Sequence, residues 1–154
     1  MVGKKGPVER QREVNMAYTA KKVDVWVGKI ADKPGALADK LAHLAEAGVG
    51  LRFVLARRDE PGSGLVFLAP LKGVAQAAAA RKAGLHKAKD LAALCVEGPD
   101  RKGVGAALTK AIADAGINLR GLSAIAVGRK CACYLAFDSA KDAAKAARVI
   151  AKII

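Results

Sequence analysis

From residue 16 onward the chain alternates between two hydrophobic periods. Val23–Ile30 opens with Val-Asp-Val-Trp-Val, apolar at every second position, as in a half-buried strand. A polar loop with Asp and Gly follows, and then Leu37, Leu41 and Leu44 recur at the spacing of an amphipathic helix. Gly48 stands where a helix C-terminus favours positive φ. A second strand is predicted over Leu51–Arg57, a turn over Asp59-Glu60-Pro61-Gly62-Ser63-Gly64, a third strand over Leu65–Ala69 and a second helix over Gly73–Ala83.

The same order returns 68 residues later. Strands are predicted over Leu91–Glu97, Leu119–Val127 and Cys131–Phe137, with a tight turn near Gly128-Arg129-Lys130. Leu108, Ile112 and Ala115 mark the first helix, Gly116 its end, and Ala140–Ile150 the second helix. Residues 32–52 (DKPGALADKLAHLAEAGVGLR) align without a gap to residues 100–120 (DRKGVGAALTKAIADAGINLR). The identities are Asp32/Asp100, Gly35/Gly103, Ala38/Ala106, Ala45/Ala113, Ala47/Ala115, Gly48/Gly116, Leu51/Leu119 and Arg52/Arg120. The chain therefore reads as a lead-in over 1–22, a first repeat over 23–90 and a second over 91–154. Residues 1–15 carry no hydrophobic period and read as a mobile or non-native tail.

Each copy has the order βαββα, the split βαβ arrangement of a ferredoxin-like α+β sandwich. A fourth strand is expected to be short or absent. Copy one leaves only Gly84–Asp90 for it, and copy two ends in Ala-Lys-Ile-Ile. Sheets left with open edges invite pairing, so the two sheets are expected to join side by side or across a homodimer.

DKPGALADKLAHLAEAGVGL and GPDRKGVGAALTKAIADAGINL resemble the opening of an ACT domain, whose pattern is D-x-P-G-x-L, a helix, then A-G-[IV]-N-[IL]. The resemblance covers about residues 23–150 and implies a stand-alone tandem protein. It would bind an amino acid or similar small effector and regulate a partner enzyme without catalysing a reaction. Gly50 stands where the family often has Asn, and Lys102 replaces the Pro. Two sites, one shared site, or one live and one structural copy all remain open.

The loop chemistry supports such a ligand by itself. A helix N-terminus has unpaired N–H groups and a partial positive charge, which favour a carboxylate. The candidate ligand-binding residues are Asp32, Lys33, Pro34, Gly35, Asp100, Arg101, Gly103 and Asn118. Gly35 and Gly103 let a ligand approach the backbone, and Pro34 is suited to opening a helix. Two roles are open to Asp32 and Asp100, partner of a ligand ammonium or helix N-cap. Two are open to Asn118, ligand contact or tolerance of the turn after Gly116. Lys33 and Arg101 are either ligand cations or solvated charges.

Composition trims the alternatives. The formal charge of +13 rests on 27 basic and 14 acidic residues. Basic and acidic residues number six and two in 1–22, 11 and 7 in 23–90, and 10 and 5 in 91–154. No segment owns the excess, and aromatics are only 4%, without an RNP-type motif, so RNA or DNA is an unfavoured partner. An assembly module without a ligand is the other alternative.

No run suits a membrane span or a secretory signal, and three Cys suit a reducing compartment, so the expectation is a cytoplasmic protein with no membrane partner. Cys131 and Cys133 lie two apart on one strand, too few for a metal set, and with Cys95 read as small buried hydrophobes. His43 and His86 have no nucleophile that sequence can place beside them, and no phosphate-loop spacing occurs. No catalytic residue, cofactor or metal ligand is expected.

Overall fold

Alternation in the third strand of each repeat sets the two cores. The computed structural model of the chain describes residues 18–154. Its elements are β1 (Thr19–Val23), β2 (Trp26–Ala31), α1 (Ala36–Glu46), β3 (Phe53–Arg58), β4 (Ser63–Ala69), α2 (Gly73–Lys82), β5 (His86–Lys87), β6 (Ala92–Pro99), α3 (Val104–Asp114), β7 (Gly121–Val127), β8 (Lys130–Phe137) and α4 (Ala140–Ile150). The reading of residues 1–15 as a tail lies outside the described residues.

The chain divides into two units, residues 23–89 and residues 90–154 with the lead-in. The first holds a four-stranded sheet ordered β3-β4-β2-β5. Antiparallel pairing sets Leu68 opposite Trp26 and Val54, and Val66 opposite Gly28 and Ala56. Trp26, Val66 and Leu68 are buried with Leu44 of α1, Ala80 of α2 and Leu85. Leu37 and Leu41 pack on the same cluster, so the apolar stripe of α1 faces the sheet as its period predicts. The fourth strand is the two-residue β5, which fits the short connector.

The second unit has the order β1-β6-β8-β7. Cys131, Cys133, Leu135 and Phe137 of β8 all face one way and are buried. Leu94 and Val96 of β6, Leu108 and Ile112 of α3, and Ala143, Ala146 and Ile150 of α4 close this core. Its fourth strand comes from an unexpected place. The chain's end does not supply it; β1, in the lead-in before the first repeat, does. Tyr18 and Ala20 join the second core with it.

Both units thus have four strands, and within the chain they form two four-stranded sheets, not one sheet joined side by side, the first of the two arrangements expected from open edges. Predicted and observed elements otherwise agree to within three residues at each end, the remainder being fraying and strand lead-in. Gly48 and Gly116 hold φ of 71° and 70° at the ends of α1 and α3. Among the described residues no helix is long and apolar enough to cross a membrane.

The helices start differently. Ser139 caps α4: its hydroxyl accepts from the Asp142 N–H at 3.0 Å and donates to the Asp142 carboxylate at 2.8 Å. Ser139→Ala should cost about 1 kcal/mol, read as a lower urea midpoint with an unchanged slope.

Candidate functional site

Helices α1 and α3 start on glycine. Gly35 (φ 89°) and Gly103 (φ 85°) occupy the N-cap positions in the left-handed region, and no side chain caps either helix. A Cβ at either site would meet no neighbour within 4 Å, so backbone conformation, and not crowding, selects glycine there. This removes the N-cap role from Asp32 and Asp100, which lie three residues earlier. It also places Pro34 before the N-cap, outside the first helical turn. Each Asp instead ties its loop to a hairpin through its backbone. Asp32 N–H donates to Gly62 O (3.1 Å), and Asp100 N–H to Arg129 O (2.8 Å).

The two loops then diverge. In the first repeat the Asp32 carboxylate is held by Arg58, with Nε 2.9 Å from Oδ2. Lys33 and Pro34 beside it are exposed. In the second repeat the loop borders an open pocket of about 190 Å³. Arg101, Lys102 and Gly103 form its polar rim; Val104, Ala107 and Leu108 of α3, Ile153, Ile154 and Tyr18 form the rest. Of the eight residues singled out from sequence, this pocket brings together Arg101 and Gly103. Asp32, Lys33, Pro34 and Gly35 belong to the other unit. Asp100 and Asn118 do not line the pocket, and Asn118 is exposed.

Tyr18 is the residue that sequence reading missed. Its hydroxyl donates to Pro99 O at 2.6 Å, and the Arg101 guanidinium lies over its ring, 5.9 Å from the centroid. Burial pushes the phenol pKa above its ordinary value, with Arg101 acting in the opposite direction and Asp100 reinforcing the rise. A signal for it existed in the repeat itself. Gly98 stands 68 positions after Ile30, a partly buried residue packed on the first core. A Cβ on Gly98 would come 2.1 Å from the Tyr18 ring. Glycine inside a strand often marks such a close approach.

The pocket is chemically two-sided. Two cations and the first turn of α3, with its partial positive charge, offer a carboxylate a place at the rim. Val104, Leu108, Ile153 and Ile154 offer an apolar group its contacts. The thiols do not line the pocket: Cys95, Cys131 and Cys133 are buried and form no disulfide. Burial pushes the Cys133 thiol pKa up, which keeps it protonated and unreactive. No cluster of three or more metal-ligating side chains occurs among the described residues.

No family model matches the sequence, and no curated protein does. Solved structures do. The ligand-free regulatory subunit of aspartate kinase from Thermus thermophilus matches with a TM-score of 0.62 at 17% identity, over 88% of this chain and 95% of that one. Protein BT0572 from Bacteroides thetaiotaomicron gives 0.70 at 10% identity, over 85% and 88%. Aspartokinase III of E. coli, in complex with aspartate and ADP, gives 0.57 at 15% identity over 88% of this chain but 32% of the enzyme. At these identities the likeness is one of fold, and the fold is the tandem ACT-type, ferredoxin-like arrangement.

Proposed function

We propose that the chain is a non-enzymatic, cytoplasmic regulatory module that binds an amino acid or a similar small carboxylate effector. The second repeat holds the working site and the first is structural at the corresponding loop. One observation carries this reading. Arg101, Lys102 and the glycine-started end of α3 border the same pocket as Val104, Leu108, Ile153 and Ile154. A carboxylate at the rim and an apolar side chain over the isoleucines would satisfy both halves. In this reading Asp100, on the adjoining loop but outside the pocket lining, attracts the ammonium by its charge, and Asn118, also outside the lining, reaches the ligand only if it extends beyond the pocket. Asp32, by contrast, already has Arg58. The fold likeness to aspartate kinase regulatory subunits supports a regulatory role with an enzyme as the regulated partner; a homodimer as the working form is part of the same proposal.

A thermal-shift screen of the free amino acids tests the reading. Apolar amino acids should raise the melting temperature; a ligand at a hundred times its Kd adds about 2.7 kcal/mol. Asp32→Asn should leave the response intact. No response to any amino acid at millimolar concentration would overturn the proposal.

A further inference from the structure

Two segments from the extremes of the described chain wall the second repeat's pocket, and they are not held alike. Ile153 and Ile154 are tied to α4, both donating from the backbone to Ile150 O, and Ile154 is buried. Tyr18 stands directly before β1, an outer strand of five residues whose one neighbour in the sheet is β6. Only Ala20 joins Tyr18 in the core; Thr19, Lys21 and Lys22 are exposed. Short outer strands with few buried side chains open locally at far lower cost than the whole domain unfolds. β1 therefore docks chiefly through one anchor. The Tyr18 ring fills the notch left by Gly98, and its hydroxyl donates to Pro99 O at 2.6 Å.

The same ring is a platform for the pocket's rim, because the Arg101 guanidinium lies over it, 5.9 Å from the centroid. When β1 leaves the sheet, the pocket loses a wall, and Arg101 loses the surface that holds its charge at the rim. Helix α3 stays, secured by its own buried Leu108 and Ile112. A ligand of this pocket thus meets a complete site only while β1 is docked.

We propose that occupation of this pocket locks β1 onto the second unit's sheet, and that this lead-in strand carries the regulatory signal. The inference rests on the effector reading above and names its output. A ligand shifts a two-state equilibrium only by its differential affinity for the two states. Here the difference comes from Tyr18 and from the Arg101 that it positions. The coupling is reciprocal, so whatever secures β1 tightens the effector by the same factor. The division between the two units falls between Lys22 and Val23, and Asp24 and Val25 alone separate β1 from β2. The strand that the effector secures is the one that leads directly into the first unit.

Hydrogen–deuterium exchange of the full chain tests this, with L-leucine, L-isoleucine and L-valine as probes at concentrations that saturate the thermal shift. Amides of Thr19–Val23 should exchange at least about fivefold more slowly with a probe bound, the lower end of ordinary coupling factors. Amides of β7, the other outer strand of the same sheet and no part of the pocket, should keep their rates, as should those of β3 in the first unit. Lys102→Glu, at the rim, should remove most of the slowing at the same probe concentration. A slowing that persists in Lys102→Glu places the probe elsewhere and overturns the inference. Equal slowing in β1 and β7, or none in β1, with the thermal shift intact, overturns the inference and leaves the effector reading standing. A melting temperature unmoved by all three probes overturns both the apolar effector and this output.

Discussion

Gly98→Ala should destabilise the second unit by about 3 kcal/mol or more, although it adds one methyl group. Overpacking of a core ordinarily costs about 1–3 kcal/mol. Here the added Cβ would stand 2.1 Å from the Tyr18 ring, well inside any permitted contact. Gly98 lies on β6, whose backbone is held by β8 along its whole length, so the ring must move instead. Moving it breaks the hydroxyl bond to Pro99 O, lifts the ring from the core of Leu94, Val96 and Leu108, and loosens β1.

Gly121→Ala supplies the control. Its new methyl would meet only Ala136 Cβ at 3.8 Å, an ordinary contact, so its cost should stay within about 0.5 kcal/mol. Urea unfolding of both variants checks the contrast. Tyr18→Ala and Gly98→Ala should also be strongly non-additive, since the second has little left to displace once the ring is gone. Equal stability of Gly98→Ala and Gly121→Ala would show that Tyr18 does not occupy this core.

That same pair explains why β1 escaped the sequence reading while most of the fold did not. The helices and central strands were legible because their periods are local. Leu37, Leu41 and Leu44 point one way, as do Cys133, Leu135 and Phe137, without reference to any distant residue. The 68-residue repeat then multiplied each signal by two. β1 has no such advantage. Thr-Ala-Lys-Lys-Val is half polar because it is an edge strand, and its partner β6 lies about 70 residues away in sequence. The repeat frame itself concealed it, since a strand of the second unit precedes the first. Only the exchange of Ile30 for Gly98, a missing side chain in a core strand, recorded the gap that Tyr18 fills.

The loops were legible in composition and not in geometry. Gly35 and Gly103 were identified as backbone-approach positions; what the structure shows at both is a left-handed φ that other residues adopt only with strain. Asp32 and Asp100 could not be separated by sequence, since both occupy one place in the repeat. Their difference comes from elsewhere: Arg58, at the end of β3, engages the first, and its counterpart position 68 residues on is Ala126. Likewise the pocket needs Tyr18 and Ile153, which lie outside the aligned segment at both extremes of the described chain.

Arg101→Glu should nearly abolish the effector response while the corresponding change in the first repeat, Lys33→Glu, should not. A charge-assisted contact to a carboxylate is worth about 1.5–3 kcal/mol, and reversal of the charge replaces attraction with repulsion. A hundredfold loss of affinity is about 2.7 kcal/mol. An effector at a hundred times the original Kd would then sit at the Kd of the variant, and its stabilisation would fall from about 2.7 to about 0.4 kcal/mol. The unliganded variant should lose only the cation–π contact with Tyr18, about 0.5–1 kcal/mol, so a lost response is distinguishable from a lost fold. Arg101→Lys should retain part of the affinity, because the charge survives without the planar fork. Paired melting curves with and without effector measure all three. A full shift in Arg101→Glu would remove the second repeat's loop as the site, and a loss in Lys33→Glu of similar size would place a second site in the first repeat.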